Sequence, residues 1–300
     1  MEITIAGASG LIGTAVARSF EKGGHQIRRL VRGNAKGPGD FSWKPDTGAI
    51  DPAAIEGADV VINLAGANIA GGRWTQKHKG LLRDSRVCST DLIARCVAAC
   101  VSKPAVLVNA SGVGYYGTDP EGWIDEQSPL GGGFLAGLCS DWENAAEPAV
   151  AAGVRVVKLR FGVVIASEGG ALAKMLPVFK LGLGGPIGGG RMWLSWISIV
   201  DLVRVLDRVI ADPKLVGAVN AVAPNPVTNL EFTKELGRAL GRPAIVPVPA
   251  WALRLALGEM ADETLLASAR ARPARLLEAG FAFRHETIAA AFADLLGSRR

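Results

Sequence analysis

The sequence predicts an α/β fold built on a doubly wound parallel sheet, with a smaller C-terminal α/β, mostly helical lobe. It opens with a strand (residues 3–6), a glycine-rich loop, a helix (11–21) and a second strand (26–31), which together make a βαβ unit. Apolar runs then alternate with helical stretches, and this alternation favours parallel strands joined by crossover helices. After about residue 160 the pattern changes, which predicts the second lobe.

The remaining elements follow in chain order. Further buried strands are predicted at 60–64, 106–108 and 154–159, with helices at 81–101 and 139–152. The glycine-rich stretch 181–190 suits a loop over a binding cleft, and the sequence from 241 onward resembles a helical cap. The predicted domains are 1–160, with a sheet completed by part of 195–225, then a mixed segment with the substrate loop at 161–240, and a helical domain at 241–300.

Composition narrows the functional class. The chain has 300 residues, 49% of them hydrophobic, which is enough to bury a large core. Its net charge of +5 comes from dispersed lysines and arginines, so nucleic-acid binding is not expected. No apolar stretch approaches the roughly 20 residues that span a bilayer. We expect a cytoplasmic protein with a small-molecule substrate and no membrane partner, and a homodimer is left open.

A metal centre is not expected. The chain has four cysteines and three histidines. They lack the close cysteine pairs and the neighbouring histidines that a zinc site needs. Any chemistry must therefore come from other side chains or from an organic cofactor.

The glycine-rich loop predicts a Rossmann-type dinucleotide site. Glycine recurs at every third position between the first strand and its helix, where it permits a tight turn, close approach of a pyrophosphate and close helix packing. The helix N-terminus then offers free N–H groups and a positive dipole end to the phosphates. The predicted contacts in this loop are Gly7, Ser9, Gly10, Leu11, Ile12 and Gly13.

The end of the second strand predicts which nicotinamide cofactor binds. NAD-preferring sites carry an acidic residue there, whereas this strand ends in Val31 and Arg32. An arginine pairs with a 2′-phosphate through two hydrogen bonds, so NADP(H) is favoured, the alternative being a solvated surface arginine. The small residues after the next strand let the backbone approach the cofactor, which adds Leu64, Ala65 and Gly66 to the predicted contacts.

Several motifs together resemble known proteins. Residues 7–13, 63–66 (Asn-Leu-Ala-Gly) and 111–117 (Ser-Gly-Val-Gly-Tyr-Tyr-Gly) resemble the extended short-chain dehydrogenase/reductases. Trp142-Glu143, 160–164 (Arg-Phe-Gly-Val-Val), 181–188 (Leu-Gly-Leu-Gly-Gly-Pro-Ile-Gly) and Trp196-Ile197 before Asp201 resemble the atypical, NAD-dependent epimerase/dehydratase-like branch. In that branch the last sixty or so residues form an extra domain of unknown function. The resemblance covers nearly the whole chain. It implies a nicotinamide cofactor and adds Arg86 and Val164 to the expected cofactor contacts.

One feature of that larger family is absent. Its typical members use a tyrosine as proton donor and a lysine four residues later. The two tyrosines of this chain, Tyr115 and Tyr116, are followed four places later by Asp119 and Pro120. A different group must therefore move the proton, or none does.

Three residues are the candidate catalytic groups. The family's serine is present as Ser111, and Tyr116 lies near it in sequence, although without a cationic neighbour its phenol would be a poor base. Alignment on Glu143 places Cys139 at the lysine position, where it is either a titrating thiol or an inert buried one. Arg86 replaces an asparagine of the family and would bind an anion or lie on the helix surface.

The residues that flank the glycine-rich stretch form the predicted substrate site. They supply anion-pairing and stacking groups, which favours a small anionic substrate. The alternative for the tryptophans is a place in the core. The predicted residues are Arg160, Lys174, Arg191, Trp193 and Trp196.

These features predict an NADP(H)-dependent enzyme that reduces or epimerises a small substrate. Loss of the tyrosine–lysine pair keeps a second hypothesis open, a catalytically silent NADP(H)-binding sensor or regulatory protein. A third, a cofactor-independent interaction protein, requires a glycine loop that binds no nucleotide.

Overall fold

The computed structural model describes residues 1–119 and 122–297. Pro120, mentioned above, and the last three residues of the predicted helical domain lie outside the described residues. In the described chain the strands are β1 (Glu2–Ala6), β2 (Gln26–Arg32), β3 (Asp40–Lys44), β4 (Ala49–Ile50), β5 (Val60–Asn63), β6 (Val106–Gly112), β7 (Arg155–Phe161), β8 (Val163–Ile165), β9 (Trp193–Leu194), β10 (Trp196–Ser198), β11 (Gly217–Ala221) and β12 (Val227–Thr228). The α-helices are α1 (Leu11–Lys22), α2 (Gln76–Ala99), α3 (Phe134–Asn144), α4 (Glu147–Ala151), α5 (Gly170–Lys180), α6 (Ile199–Ala211), α7 (Asn229–Leu240), α8 (Ala250–Leu257), α9 (Ala274–Glu278) and α10 (Ile288–Gly297).

An eight-stranded sheet organises the fold, with the strand order β11-β7-β6-β5-β1-β2-β3-β4. β1 pairs in parallel with both β2 and β5, and β5 pairs in parallel with β6. The short β4 pairs with β3 in the antiparallel direction. The predicted fold class is confirmed. The chain order reverses on either side of β1, and ligands of such sheets bind at the carboxyl ends of strands next to this reversal.

The strands β1, β5 and β6 are buried along almost their whole length, as expected for parallel strands covered on both faces. Helix α2 contributes Ile93 and Val97, which pack with Leu107 of β6 and Trp43 of β3 in one core cluster. This packing fixes the carboxyl ends of β1, β5 and β6, from which the candidate site is built.

The chain divides into two compact units. Unit 1 comprises Met1–Ser111, Leu138–Leu159 and Leu206–Val219, and unit 2 comprises Gly112–Gly137, Arg160–Val205 and Asn220–Arg300, of which residues up to 297 are described. Unit 2 has its own core, in which Phe232 and Phe292 make an edge-to-face contact beside Trp196. The predicted boundaries at 160 and 240 stay predictions.

Within the described residues, no helix has the length and apolar character needed to cross a bilayer.

Candidate cofactor site and active site

A groove of about 620 Å³ opens in unit 1 where β1 runs into the glycine loop. Its walls come from the loop, the end of β2, the segment after β5 and one face of α2. The residues that line it are Gly7, Ala8, Ser9, Gly10, Arg29, Leu30, Val31, Arg32, Trp43, Pro45, Asp46, Leu64, Ala65, Gly66, Ala67, Ser85 and Ser89. Most of the predicted cofactor contacts are therefore brought to one groove.

The three loop glycines have different reasons to be glycine. Gly7 has a φ of +79°, and a Cβ there would lie 2.8 Å from the Leu64 carbonyl carbon. A Cβ on Gly13 would lie 2.1 Å from the Gly7 carbonyl oxygen. At Gly10, where φ is −76°, a Cβ would meet the Gly7 oxygen only at 3.4 Å. The fold itself needs Gly7 and Gly13, whereas the missing side chain of Gly10 keeps the groove open for a ligand.

The N-terminus of α1 suits an anion. In the described chain no side chain caps this helix, and its first turn has no acidic residue. Its free N–H groups and positive dipole end are therefore available to a ligand, and the predicted contacts Leu11 and Ile12 lie in this turn. The loop and the helix end together fit a dinucleotide pyrophosphate.

Arg32 is the arginine of β2 that remains available. It is exposed and lines the groove, and its side chain makes no hydrogen bond or ion pair with any described residue. Two earlier arginines of the strand are engaged, because Arg28 pairs with Glu2 and Arg29 pairs with Glu21. The free guanidinium suits a phosphate beside the end of β2.

Arg86 has a structural role in unit 1. Its guanidinium is buried, donates to the Leu82 and Ala67 carbonyl oxygens at 3.0 and 2.9 Å, and lies over the Trp142 ring. Burial lowers its pKa to about 10, and a charge on Cys139 opposes this shift. Arg86 therefore ties the segment after β5 to α2, and its expected contact with a cofactor phosphate stays a prediction.

Sequence reasoning missed two groove residues. Ser85 and Ser89 of α2 line the groove, and Ser85 Oγ also accepts the Ala67 N–H at 3.0 Å. The spacing of four residues, which places both hydroxyls on one helix face, was the available signal.

Ser111 and Glu143 form a buried pair in unit 1. Ser111 is the last buried residue of β6 and Glu143 lies on α3, and the two residues are 3% and 4% exposed. Ser111 Oγ donates to Glu143 Oε1 at 2.7 Å. The serine hydrogen is therefore directed at a carboxylate. Cys139 lies one helical turn before Glu143 and is buried.

Tyr116 has a cationic neighbour, which corrects the expectation from sequence. In unit 2, Arg160 Nη1 donates to the Tyr116 hydroxyl at 2.9 Å, and the hydroxyl donates to Asn220 Oδ1 at 2.7 Å. The Arg160 guanidinium also stacks on Tyr115, with Cζ 3.5 Å from the ring centroid. Arg160 is 4% exposed, so it serves this cluster and does not present its charge to an open cleft. The sequence missed this pair because 44 residues separate its members.

Burial raises the pKa of Tyr116 to about 12, and Arg160 opposes the shift. The pKa of Tyr116 is therefore higher in the folded protein than in the unfolded chain, where it is about 10. The neutral phenol stabilises the fold fully below about pH 10, and this contribution is lost as the pH rises toward 12. It is worth about 2–3 kcal/mol. Between pH 8 and 11.5 the free energy of unfolding should therefore fall by about 2 kcal/mol more in the wild type than in Tyr116→Phe. Urea denaturation at each pH measures this.

The matched control for that measurement is Tyr115→Phe, which removes a hydroxyl that bonds to no described residue. Its pH dependence should follow that of the wild type. Equal slopes for the wild type and Tyr116→Phe would contradict the prediction.

The other predicted substrate residues also belong to unit 2. Lys174 and Arg191 are exposed, and Trp193 is half-buried with the Arg270 guanidinium over its ring. Trp196 is fully buried and donates its Nε1–H to the Asn225 carbonyl at 3.0 Å. It is therefore a core residue, and its prediction as a substrate contact is wrong. Val164, the remaining expected cofactor contact, lies in β8 and pairs with Ile197 of β10.

No group of three or more histidine, cysteine or acidic side chains in the described part of the chain is placed to hold a metal ion.

Comparison with known proteins gives a consistent result. The model of the NAD dependent epimerase/dehydratase family matches residues 3–222, and a domain of unknown function (DUF1731) matches residues 248–295. The epimerase family protein Mb2239 of Mycobacterium bovis is 46% identical over 286 residues, which cover 95% of this chain and 94% of that protein.

Two crystal structures extend the comparison. The human epimerase family protein SDR39U1, solved with NADPH, is 32% identical, covers 99% of both chains and has a TM-score of 0.90. The nucleoside-diphosphate sugar epimerase of Corynebacterium glutamicum is 36% identical, with a TM-score of 0.82 over 99% of this chain and 58% of that one.

Proposed function

The chain belongs to the NAD dependent epimerase/dehydratase family, and from this premise we propose that it is an NADP(H)-dependent member that reduces or epimerises a small anionic substrate. The family resemblance predicted from sequence is thereby confirmed. A cytoplasmic location and the absence of nucleic-acid and membrane partners belong to the same proposal.

The observation that carries the cofactor assignment is the unpaired Arg32 at the groove. Because Arg28 and Arg29 are neutralised by carboxylates, Arg32 supplies the free positive charge at the end of β2. It would pair with a 2′-phosphate, and Gly10 with the N-terminus of α1 would hold the pyrophosphate. The human relative solved with NADPH supports the same choice.

The proposed chemistry divides between cofactor and protein. When bound, a nicotinamide supplies hydride transfer. The chain supplies the proton path, in which Ser111 Oγ contacts the reacting oxygen and exchanges its proton with Glu143 Oε1. This path replaces the tyrosine–lysine pair. It favours Ser111 over Tyr116 because Ser111 donates to a carboxylate, which can take up a proton, whereas the Tyr116 hydroxyl donates to the amide oxygen of Asn220.

The cofactor assignment is tested by titrating the protein with NADPH and with NADH while following the fluorescence of the bound reduced nicotinamide. Arg32→Ala should weaken NADPH binding by about ten- to a hundred-fold, since a charge-assisted hydrogen-bond pair contributes about 1.5–3 kcal/mol. NADH binding should change less than three-fold. Arg95→Gln, which alters an exposed arginine of α2, is the control and should leave both affinities unchanged.

If Arg32→Ala lowers the affinities for NADPH and NADH equally, Arg32 does not bind the 2′-phosphate. If neither nucleotide binds the wild type, the groove does not bind a nicotinamide cofactor. The hypothesis of a cofactor-independent interaction protein is then favoured.

The second candidate function is a catalytically silent NADP(H)-binding protein. The observation that favours it is that the hydroxyl hydrogens of Ser111 and Tyr116 are both donated within the protein. A broad panel of carbonyl compounds separates the two functions, because the enzyme consumes NADPH with at least one of them. NADPH-dependent capture of a protein partner, with no NADPH consumption, identifies the sensor.

A further inference from the structure

The guanidinium of Arg270 lies between two tryptophan rings in unit 2. Its Cζ is 4.0 Å from the ring centroid of Trp123 and 4.1 Å from that of Trp193. Both distances are well within the roughly 6 Å range of cation–π attraction. The two rings therefore fix the position of this cation from two sides.

The hydrogen-bonding groups of this cation are unused. Within residues 1–119 and 122–297 the Arg270 side chain makes no hydrogen bond and no ion pair, and its Nε is enclosed without a partner. A guanidinium carries five N–H donors, and leaving an enclosed donor unpaired is unfavourable. The two indole faces attract the positive charge, but they accept none of the N–H hydrogens, which lie in the plane of the guanidinium. Unused donors on a fixed cation are what an anion-binding site requires.

The backbone around Arg270 is held in place. The Arg270 carbonyl accepts the Ile124 N–H at 3.1 Å, and the Ala269 N–H donates to the Trp193 carbonyl at 3.1 Å. Ser195 Oγ donates to the Ala269 carbonyl at 2.7 Å. The segment that carries Arg270 is thus tied to both segments that carry the tryptophans. A site fixed before binding loses less conformational entropy when its ligand arrives.

The site borders an open pocket. Trp123 is 48% exposed and forms part of the wall of a pocket of about 520 Å³ whose lining includes Gly117, Thr118 and Ser128. Asp119 also lines this pocket, but it is exposed and forms no ion pair with Arg270. A small molecule in the pocket would lie against the same ring that holds the cation.

We propose that Arg270, held by Trp123 and Trp193, binds an oxyanion of a small molecule, either a carboxylate or a phosphate. The planar guanidinium matches both groups through paired N–H···O bonds, and the indole faces offer a flat apolar contact to the part that carries the anion. None of the three residues lines the glycine groove. The inference therefore stands apart from the proposed cofactor function.

The test is a titration of the full chain, without nucleotide, with inorganic phosphate and separately with succinate. Sodium chloride keeps the ionic strength constant, and intrinsic tryptophan fluorescence is recorded together with the melting temperature. At least one anion should give a saturable fluorescence change and a matching rise in melting temperature, because a ligand that binds only the native state stabilises it. The anion that does so identifies the class of ligand.

The variants Arg270→Gln and Arg270→Lys should each raise the half-saturating concentration at least ten-fold. The lysine keeps the charge but lacks the planar fork, and it keeps the test informative if the glutamine variant fails to fold. Arg95→Gln on α2 is the matched control and should bind as the wild type does. A saturable response to neither anion, or a wild-type response in Arg270→Lys, overturns the proposal.

Discussion

Gly13→Ala is expected to destabilise the fold and to weaken NADPH binding at least a hundred-fold. A methyl group there would lie 2.1 Å from the Gly7 carbonyl oxygen and 2.8 Å from Ala8 Cα, and both atoms belong to backbone that cannot move independently of the loop. Relief of such overlap costs about 3 kcal/mol, and it would displace the N–H groups that are proposed to bind the pyrophosphate. Urea denaturation and NADPH fluorescence titration measure the two effects.

Two further alanine substitutions separate the loss of stability from the loss of NADPH binding. Gly10→Ala should change the free energy of unfolding by less than about 1 kcal/mol, since its Cβ meets backbone only at 3.4 Å, yet it should weaken NADPH at least ten-fold because the methyl group enters the groove. Gly80→Ala on α2 meets nothing within 4 Å and should leave binding unchanged. Equal stability losses at positions 13 and 10 would contradict this division.

The cofactor groove was predictable because its parts are local in sequence. The glycine triplet, the end of β2 and the segment after β5 each follow a strand whose carboxyl end reaches the same edge of the sheet. Local rules also had limits. The sequence predicted α2 from residue 81, whereas it begins at Gln76, where the Thr75 hydroxyl accepts the His78 N–H. The short strands β3 and β4 were not predicted.

The other contacts described within each unit were not predictable because they join distant segments. The Tyr116–Arg160 pair and the Ser111–Glu143 pair form only after the chain folds. Glu263 is a further case. It lies in the region matched by the domain of unknown function, yet in unit 2 its carboxylate accepts the Phe134 N–H at the start of α3. No periodicity or motif links residues 129 positions apart.

Ser111→Ala and Glu143→Gln are each expected to lower the turnover number at least a hundred-fold, while NADPH affinity changes less than two-fold. Ser111 Oγ is 2.7 Å from Glu143 Oε1, and in the proposed path the two residues pass one proton between them. Removal of either member breaks the same path, and a general acid or base contributes about a hundred- to ten-thousand-fold to the rate. The assay follows NADPH consumption with the most active carbonyl compound of the panel.

The double variant separates this mechanism from two independent roles. If serine and glutamate form one proton path, the Ser111→Ala, Glu143→Gln double variant loses no more activity than the more damaging single variant, since effects within one unit do not add. Multiplied losses would mean that the two residues act separately. Glu147→Gln, an exposed glutamate at the start of α4, is the matched control and should retain full turnover.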